Sequence, residues 1–333
     1  MQRLHYIDSI KGLAIFLVVM GHVLAWLFTD YNVALEADKP MFLWKVIYAF
    51  HMPLFIFVSG FLFGFSKFDT LKGYVIKMYK KTKMLLVPYI VCGILVYLWR
   101  GVRPLTYWYL LTLLQLLIMT GFITFLVGKI QNVKVLVMTE IALLCVGKFA
   151  VGHLPSILPP PILDAYDWYM HLKDMYPYFA LGFFVSRHMK IEQLMNNHLY
   201  SLCMIYFVAM MFVPFKYNVW WGISLQSLAG IYCVFYLFVE KVSTGKVNEY
   251  LQEIGQKTLY IYLMHMFFSL KIVQLGDYFM GLSQTDKLGF VSCFVIQLLY
   301  SVVVSYILIR LSLYAAKMIE TSKVLSFLML GKS

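Results

Sequence analysis

Long apolar segments, separated by charged residues or prolines, follow one another along the whole chain. A helix needs about 20 apolar residues to cross a hydrocarbon core of about 30 Å, and ten segments come near that length. They lie at residues 10–29, 42–65, 84–99, 106–128, 133–151, 174–187, 199–215, 219–239, 258–275 and 289–313. The pattern predicts an all-α polytopic membrane protein with about ten transmembrane helices.

The composition strengthens this prediction. Of the 333 residues, 62% are hydrophobic and 13% are charged, whereas a soluble domain carries about 25% charged residues. So large an apolar excess cannot be buried in one soluble core. The five cysteines fall singly in apolar segments, which predicts small hydrophobic side chains and no metal site. No long linker or repeat interrupts residues 1–333, which we expect to form a single domain.

The basic residues indicate topology. The formal net charge is +12, but the chain offers no soluble domain to present that charge to nucleic acid. Short cytoplasmic loops of membrane proteins collect Lys and Arg. With ten helices and a cytoplasmic N-terminus, 19 of the 28 Lys and Arg residues fall on the cytoplasmic side. The charges therefore predict that both termini are cytoplasmic.

One polar stripe follows the first apolar segment. Asp8, Lys11, Ile15, Val18 and His22 are three or four residues apart, so they share one helix face. The helical rise puts His22 near the middle of the membrane, where an ionisable group is costly and indicates function. Alternatively, Asp8 caps the helix while Lys11 snorkels, and His22 is a structural hydrogen-bonding residue.

The second segment contains a second histidine, His51, at a similar predicted depth. Pro53 frees a backbone carbonyl near it, and such a break is tolerated only where protein or a cavity satisfies that carbonyl. A polar cavity is the simplest interpretation. Ser59, Gly60 and Gly64 follow; the two glycines favour a small-residue packing face.

A cluster of lysines precedes the third segment, and a third histidine lies in the ninth. The cluster comprises Lys67, Lys72, Lys77, Lys80, Lys81 and Lys83. Such a run commonly meets anionic lipid, but it also suits a phosphorylated ligand. His265 is seven residues after Thr258, about 10 Å into the membrane from the same side.

These motifs resemble those of the acyltransferase-3 family, membrane enzymes that O-acetylate sugars of surface polysaccharides and related glycans. The matching segments are Asp8…Lys11-Gly12…Gly21-His22, Phe50-His51-Met52-Pro53…Ser59-Gly60-Phe61, Lys80-x-x-Lys83, Trp108-Tyr109-Leu110 and Ile254-Gly255…Tyr262-Leu263-Met264-His265. The family often has Arg-x-x-Arg where this chain has Lys80 and Lys83, which lack the bidentate guanidinium fork.

The resemblance implies acetyl-CoA, or another short acyl-CoA, as the donor, with no permanently bound cofactor. The acceptor is then a hydroxyl of a surface-glycan or lipid-linked sugar, and the location a bacterial inner membrane. Lys80 and Lys83 are expected to hold the CoA phosphates.

The resemblance also assigns roles within the membrane. His22 is expected to be the general base, since imidazole titrates near working pH. Asp8 and Lys11 would shape the donor path, and His51 or Ser59 would orient the acceptor or stabilise the oxyanion. Trp108, Tyr109 and His265 are expected to bind substrate. Direct transfer and an acyl-histidine intermediate both stay open.

Two other classes of function compete with this interpretation. In a proton-coupled secondary transporter, the membrane histidines would relay protons, and two halves of the chain would carry matching broken helices. A structural subunit of a polysaccharide export assembly would leave the His22 stripe unexplained.

Overall fold

The computed structural model describes residues 4–27, 42–68, 70–101, 107–157, 167–212, 219–220, 223–242, 244–283 and 287–332. The α-helices in chain order are α1 (His5–Ala25), α2 (Phe42–Tyr48), α3 (His51–Gly64), α4 (Leu71–Arg100), α5 (Trp108–Val127), α6 (Val133–Ile157), α7 (Asp167–His188), α8 (Ile191–Leu194), α9 (Asn197–Met210), α10 (Leu225–Tyr236), α11 (Lys246–Gly255), α12 (Thr258–Phe268), α13 (Val273–Ser283), α14 (Lys287–Ile319) and α15 (Lys323–Leu330). A π-helix, Leu237–Lys241, follows α10. The strands β1 (Val219–Trp220) and β2 (Ile223–Ser224) form a short antiparallel pair. The all-α fold class is confirmed.

Within the described residues, six helical stretches are long and apolar enough to cross a membrane. They are His5–Ala25, Phe42–Gly64, Leu71–Arg100, Trp108–Val127, Val133–His153 and Gly289–Ile319. A seventh is present if α12 and α13 count as one bent span. The count of about ten helices and the cytoplasmic position of both termini stay predictions.

Two predicted segments differ from the structure in their course. The segment 219–239 was expected to be helical throughout, but it begins with the β1–β2 pair and becomes helical at Leu225. The segment 258–275 is not one straight helix, because α12 ends at Phe268 and α13 leaves at 94°. Ser269 closes α12, since its backbone N–H and its hydroxyl both donate to the carbonyl of His265, at 3.1 and 2.8 Å.

Most of the lysine cluster before the third segment is helical. All of its lysines except Lys67 lie in α4, a helix of 30 residues. The helix starts at Leu71 because the Thr70 side chain accepts a hydrogen bond from the N–H of Gly73, as an N-cap residue does. Lysine has a high helix propensity, so the apolar segment and its basic approach form one element.

The described residues form two compact units. The first lies within Met1–Met52, Asn197–Tyr217 and Gln226–Glu320, and the second within Pro53–Asn196, Asn218–Leu225 and Thr321–Ser333. The expectation of a single domain over residues 1–333 stays a prediction.

In the first unit, α1 packs against α2, α11, α12 and α14. Its closest approach is to α11. A Cβ added to Gly12 would lie 1.9 Å from the carbonyl oxygen of Leu251, and one added to Gly255 would lie 1.8 Å from that of Asp8. The Ser9 hydroxyl also donates to Oδ1 of Asn248 at 2.6 Å. Only glycine permits backbones to meet this closely, so these contacts fix α1 against α11.

In the second unit, α3 packs closely against α7. A Cβ on Gly60 would lie 2.1 Å from the carbonyl oxygen of Phe179, and one on Gly64 would lie 1.8 Å from Oγ of Ser186. The predicted small-residue packing face is therefore confirmed. Elsewhere in this unit α4 packs against α5 and α15.

We predict that Gly12→Ala lowers the free energy of unfolding by about 1–3 kcal/mol, because the new methyl group overpacks a rigid backbone contact. Thermal unfolding of the purified protein in detergent measures the change. Gly281→Ala is the matched control: Gly281 is also helical and in the first unit, and an added Cβ meets nothing within 4 Å. Equal stability of the two variants would contradict the close α1–α11 contact.

Candidate functional site

His22 of α1 and His265 of α12 form a direct pair in the first unit. Nδ1 of His22 lies 2.9 Å from Nε2 of His265. The two imidazole planes are within 2° of parallel, and their centroids are 5.1 Å apart. His265 is fully buried, with 0% exposure, whereas His22 is partly exposed. His22 is therefore the less buried member of the pair.

The glycine contacts between α1 and α11 explain why these two rings meet. Gly12 faces Leu251 and Gly255 faces Asp8, so α1 and α11 run antiparallel. The chain reverses after Gly255, and α12 then advances along α1 in the same direction until His265 reaches His22. The sequence predicted the depths of the two histidines in different segments but no contact between them. The reversal after Gly255 brings them together.

The ring of His265 is held at both nitrogens. Its Nδ1 lies 2.9 Å from the carbonyl oxygen of Ile261, one helical turn earlier. Its Nε2 meets His22, and its own carbonyl receives the two bonds from Ser269 that end α12. The break in the helix thus lies directly beside this ring.

His51 also lies beside a helix break, the one between α2 and α3. Pro53 has no N–H to offer the carbonyl of Ala49, four residues earlier, and its ring crowds that carbonyl. The Ser227 hydroxyl donates to the same carbonyl at 2.6 Å. The polar cavity expected beside Pro53 is therefore not needed, because a side chain of α10 satisfies the freed group.

Tyr48 connects His51 with the region of His22. Its ring centroid is 4.6 Å from that of His51, and a Cβ added to Gly21 would lie 2.8 Å from the same ring. His51 is 4% exposed, and its Nδ1 lies 2.8 Å from the carbonyl oxygen of Ile47. Because a carbonyl only accepts, Nδ1 carries the proton, and Nε2 of a neutral His51 is an acceptor.

Asp8 and Lys11 form an ion pair near the start of α1. Nζ of Lys11 is 3.4 Å from Oδ1 of Asp8, with the side chains 21% and 13% exposed. Leu4, and not Asp8, is the N-cap residue. Ile15 and Val18, which complete the stripe up to His22, are buried. The predicted stripe thus lies on one helix, with its ionic pair at one end and its imidazole at the other.

Ser59, Trp108 and Tyr109 belong to the second unit. The Ser59 hydroxyl donates to the carbonyl of Phe55 at 2.9 Å and meets the Tyr109 hydroxyl at 3.0 Å. Because the Ser59 proton is used within the helix, Tyr109 is the donor between the two hydroxyls. Trp108 stacks on His171 with centroids 3.9 Å apart.

Lys80 and Lys83 are exposed on α4. Nζ of Lys83 lies 4.5 Å from the ring centroid of Tyr79, a favourable cation–π contact. Their spacing of three residues puts both ammonium groups on neighbouring positions of one helix face.

A buried ionic cluster in the second unit was not predicted from the sequence. Glu140 of α6 is 0% exposed, with Oε1 at 3.0 Å from Nε of Arg187 and Oε2 paired with Nε2 of His188. A signal was available, because Glu140 is an ionisable residue within the predicted segment 133–151. The cluster joins α6 to α7.

One of the three comparisons with known proteins gives a match. The model of the acyltransferase-3 family, described as an acyltransferase domain, matches residues 4–310. No curated protein and no solved structure gives a significant match. The matched residues run from the start of α1 into α14 and include all of the candidate site residues.

We predict that Ser227→Ala lowers the free energy of unfolding by about 1–3 kcal/mol, because it leaves the buried Ala49 carbonyl without its hydroxyl donor. In a Pro53→Ala background the loss is smaller, since the backbone N–H of residue 53 is then free to bond to that carbonyl. Thermal unfolding of the two single variants and the double variant gives this comparison as a double-mutant cycle. Identical losses in both backgrounds would show that Pro53 does not create the need for Ser227.

Proposed function

The chain belongs to the acyltransferase-3 family, and from this premise we propose that it moves a short acyl group, acetyl in the first instance, from cytoplasmic acyl-CoA to a sugar hydroxyl. The acceptor is a surface-glycan or lipid-linked sugar. The site of action is a bacterial inner membrane, crossed about ten times with both termini in the cytoplasm. Family membership favours this function over the proton-coupled transporter.

One observation carries the choice of the general base. Of His22, His51 and His265, only His22 is partly exposed, and its ring is held at 2.9 Å by a second imidazole. A sugar hydroxyl is a poor nucleophile until a base takes its proton, and a positioned base contributes about 10²–10⁴-fold to the rate. His22 is the base in this proposal.

The reaction balances with His22 alone as the proton carrier. His22 takes the proton of the acceptor hydroxyl as the hydroxyl oxygen attacks the thioester carbonyl. The C–S bond then breaks, and the CoA thiolate leaves with the proton that His22 gives back. The products are an ester and CoA. This direct transfer needs no acyl-enzyme.

His51 orients the acceptor. With its Nδ1 proton committed to Ile47, a neutral His51 offers a lone pair at Nε2, which accepts a hydrogen bond from a hydroxyl. It is less suited to an oxyanion, which needs a donor. Ser59 has the same limitation, because its proton is donated to Phe55. Trp108 and Tyr109 contribute aromatic surface for the substrate.

Lys80 and Lys83 hold the phosphates of the donor in this proposal. Both side chains are exposed and carry charge without a carboxylate partner among the described ion pairs. Asp8 and Lys11, at the start of α1, shape the path of the donor. Each guanidinium of the family's arginine pair can donate two hydrogen bonds to one phosphate, whereas each lysine ammonium acts as a point charge.

We predict that His22→Ala abolishes acyl transfer. The other imidazole of the pair, His265, is fully buried and cannot take the acceptor proton in its place. Purified protein with radiolabelled acetyl-CoA, followed by mass spectrometry of the glycan, measures the product. Acetyl-CoA binding is expected to stay within a few-fold of wild type, since in this proposal the imidazole acts on the acceptor proton and makes no contact with the phosphates. Transfer within a few-fold of wild type would exclude His22 as the base.

We predict that Lys80→Ala/Lys83→Ala weakens acetyl-CoA binding by at least tenfold, because each charge-assisted contact is worth about 1.5–3 kcal/mol. The control is Lys129→Ala/Lys134→Ala, an equally exposed pair in the same unit and on the same predicted side of the membrane. Titration calorimetry in detergent at two salt concentrations separates specific contacts from general charge. Equal losses for the two pairs would mean that the lysines of α4 serve the lipid surface.

A further inference from the structure

We propose that His265 is a positioning residue, which holds neutral His22 in the tautomer that has a proton on Nδ1 and a lone pair on Nε2. The structural part of this inference stands on hydrogen bonds alone. Its catalytic part rests on the proposed function, in which His22 is the general base.

Nδ1 of His265 is the buried end of a chain of hydrogen bonds. Nδ1 of His265 faces the carbonyl oxygen of Ile261 at 2.9 Å. A carbonyl has no proton to give, so Nδ1 of His265 is the donor. In a neutral imidazole the other nitrogen is then an acceptor, so Nε2 of His265 presents a lone pair.

The lone pair on Nε2 of His265 determines which nitrogen of His22 carries the proton. Nε2 of His265 and Nδ1 of His22 are 2.9 Å apart, which is hydrogen-bond distance and requires one proton between them. Since His265 has none to offer at Nε2, His22 donates from Nδ1. The near-parallel planes of the two rings suit this bond, because the lone pair of an imidazole nitrogen lies in the ring plane. Nε2 of a neutral His22 is therefore the basic nitrogen.

The position of His22 agrees with this result. No described side chain or carbonyl is hydrogen-bonded to its Nε2, while Nδ1 is occupied by His265. The residue is partly exposed, and in this proposal the nitrogen that carries the lone pair receives the acceptor hydroxyl.

A doubly protonated His265 would reverse the assignment, since it could donate from Nε2. That state would place a positive charge on a side chain with 0% exposure, in a helix pair that counts as a candidate membrane span. Charge at such a site is expensive. A neutral histidine also avoids the buried anion that a carboxylate partner would bring, and it orients the base with hydrogen bonds alone.

His265 keeps its role as hydrogen-bond acceptor during the reaction. When His22 takes the acceptor proton at Nε2, its Nδ1–H stays bonded to His265, whose lone pair stabilises the imidazolium. When His22 returns the proton to the CoA thiolate, the pair is back in its first state. His265 touches neither substrate, which changes its expected role from substrate binding to positioning.

Two substitutions separate positioning from simple packing. In His265→Gln, the amide oxygen reaches about as far as imidazole Nε2 and can accept from His22. In His265→Asn, the shorter amide reaches only as far as Nδ1, where its NH₂ can donate to the Ile261 carbonyl, and no acceptor reaches His22. We expect kcat to fall about 10²–10⁴-fold in His265→Asn, as when an orienting partner is lost, with KM for acetyl-CoA within a few-fold. His265→Gln should recover at least tenfold of that loss.

The tautomer itself is measured by nitrogen NMR of protein labelled with ¹⁵N-histidine in lipid bilayers. The signals of His22 are those that disappear in His22→Gln. We expect Nδ1 of His22 to appear protonated and Nε2 unprotonated in wild type and in His265→Gln. In His265→Asn, a population protonated at Nε2 should appear.

The two measurements give distinguishable failures. A wild-type His22 protonated at Nε2, or a tautomer unchanged in His265→Asn, would overturn the positioning role whatever the activity. Equal kcat in His265→Gln and His265→Asn would overturn its catalytic consequence. The expected tautomer in a protein that transfers no acyl group would leave the hydrogen-bond assignment standing and refute the proposed function.

Discussion

A backbone carbonyl that loses its helical partner inside a membrane must find another donor, because no water replaces it there. At two helix breaks in the described part of the first unit, side chains contribute hydrogen bonds to backbone carbonyls. At the α2–α3 break, Ser227 satisfies Ala49 and His51 bonds to Ile47. At the α12–α13 break, the carbonyl of His265 keeps the backbone N–H of Ser269 as its helical partner and also accepts from the Ser269 hydroxyl. A histidine ring bonded to a carbonyl of its own helical turn lies beside each break.

The level at which the rings meet depends on the close packing of α1 and α11. Gly12 and Gly255 lie at the two ends of that contact, and His22 and His265 each follow their glycine by ten residues. At about 1.5 Å per residue, His22 lies about 15 Å along α1 from Gly12, and His265 lies about 10 Å along α12 from Thr258, the first helical residue after the reversal. A larger residue at either glycine would change the helix separation and with it the bond between the imidazoles.

Residue patterns along the chain predicted the parts of this structure that depend on local chemistry. The all-α class, the polar stripe on α1 and the Gly60 packing face all follow from periodicity and from ionisable residues in apolar surroundings. The predicted start of this helix, residue 84, was wrong, because hydropathy falls at the lysines that precede it whereas helix propensity does not. The bend after Phe268 and the pairing of His22 with His265 were missed because they depend on Ser269 and on contacts between distant segments. Periodicity cannot detect such contacts.

The helical state of the lysine cluster has a consequence for any polyanion that approaches it. From Leu71 to Lys83 the backbone is already a rigid rod, begun by the Thr70 cap, and about 20 Å long. Binding to a flexible loop loses conformational entropy as the loop becomes ordered, whereas a preorganised helix has lost that entropy during folding. The backbone positions of the α4 lysines are thus fixed before any ligand binds, so in the proposed function only their flexible side chains would have to become ordered around the phosphates.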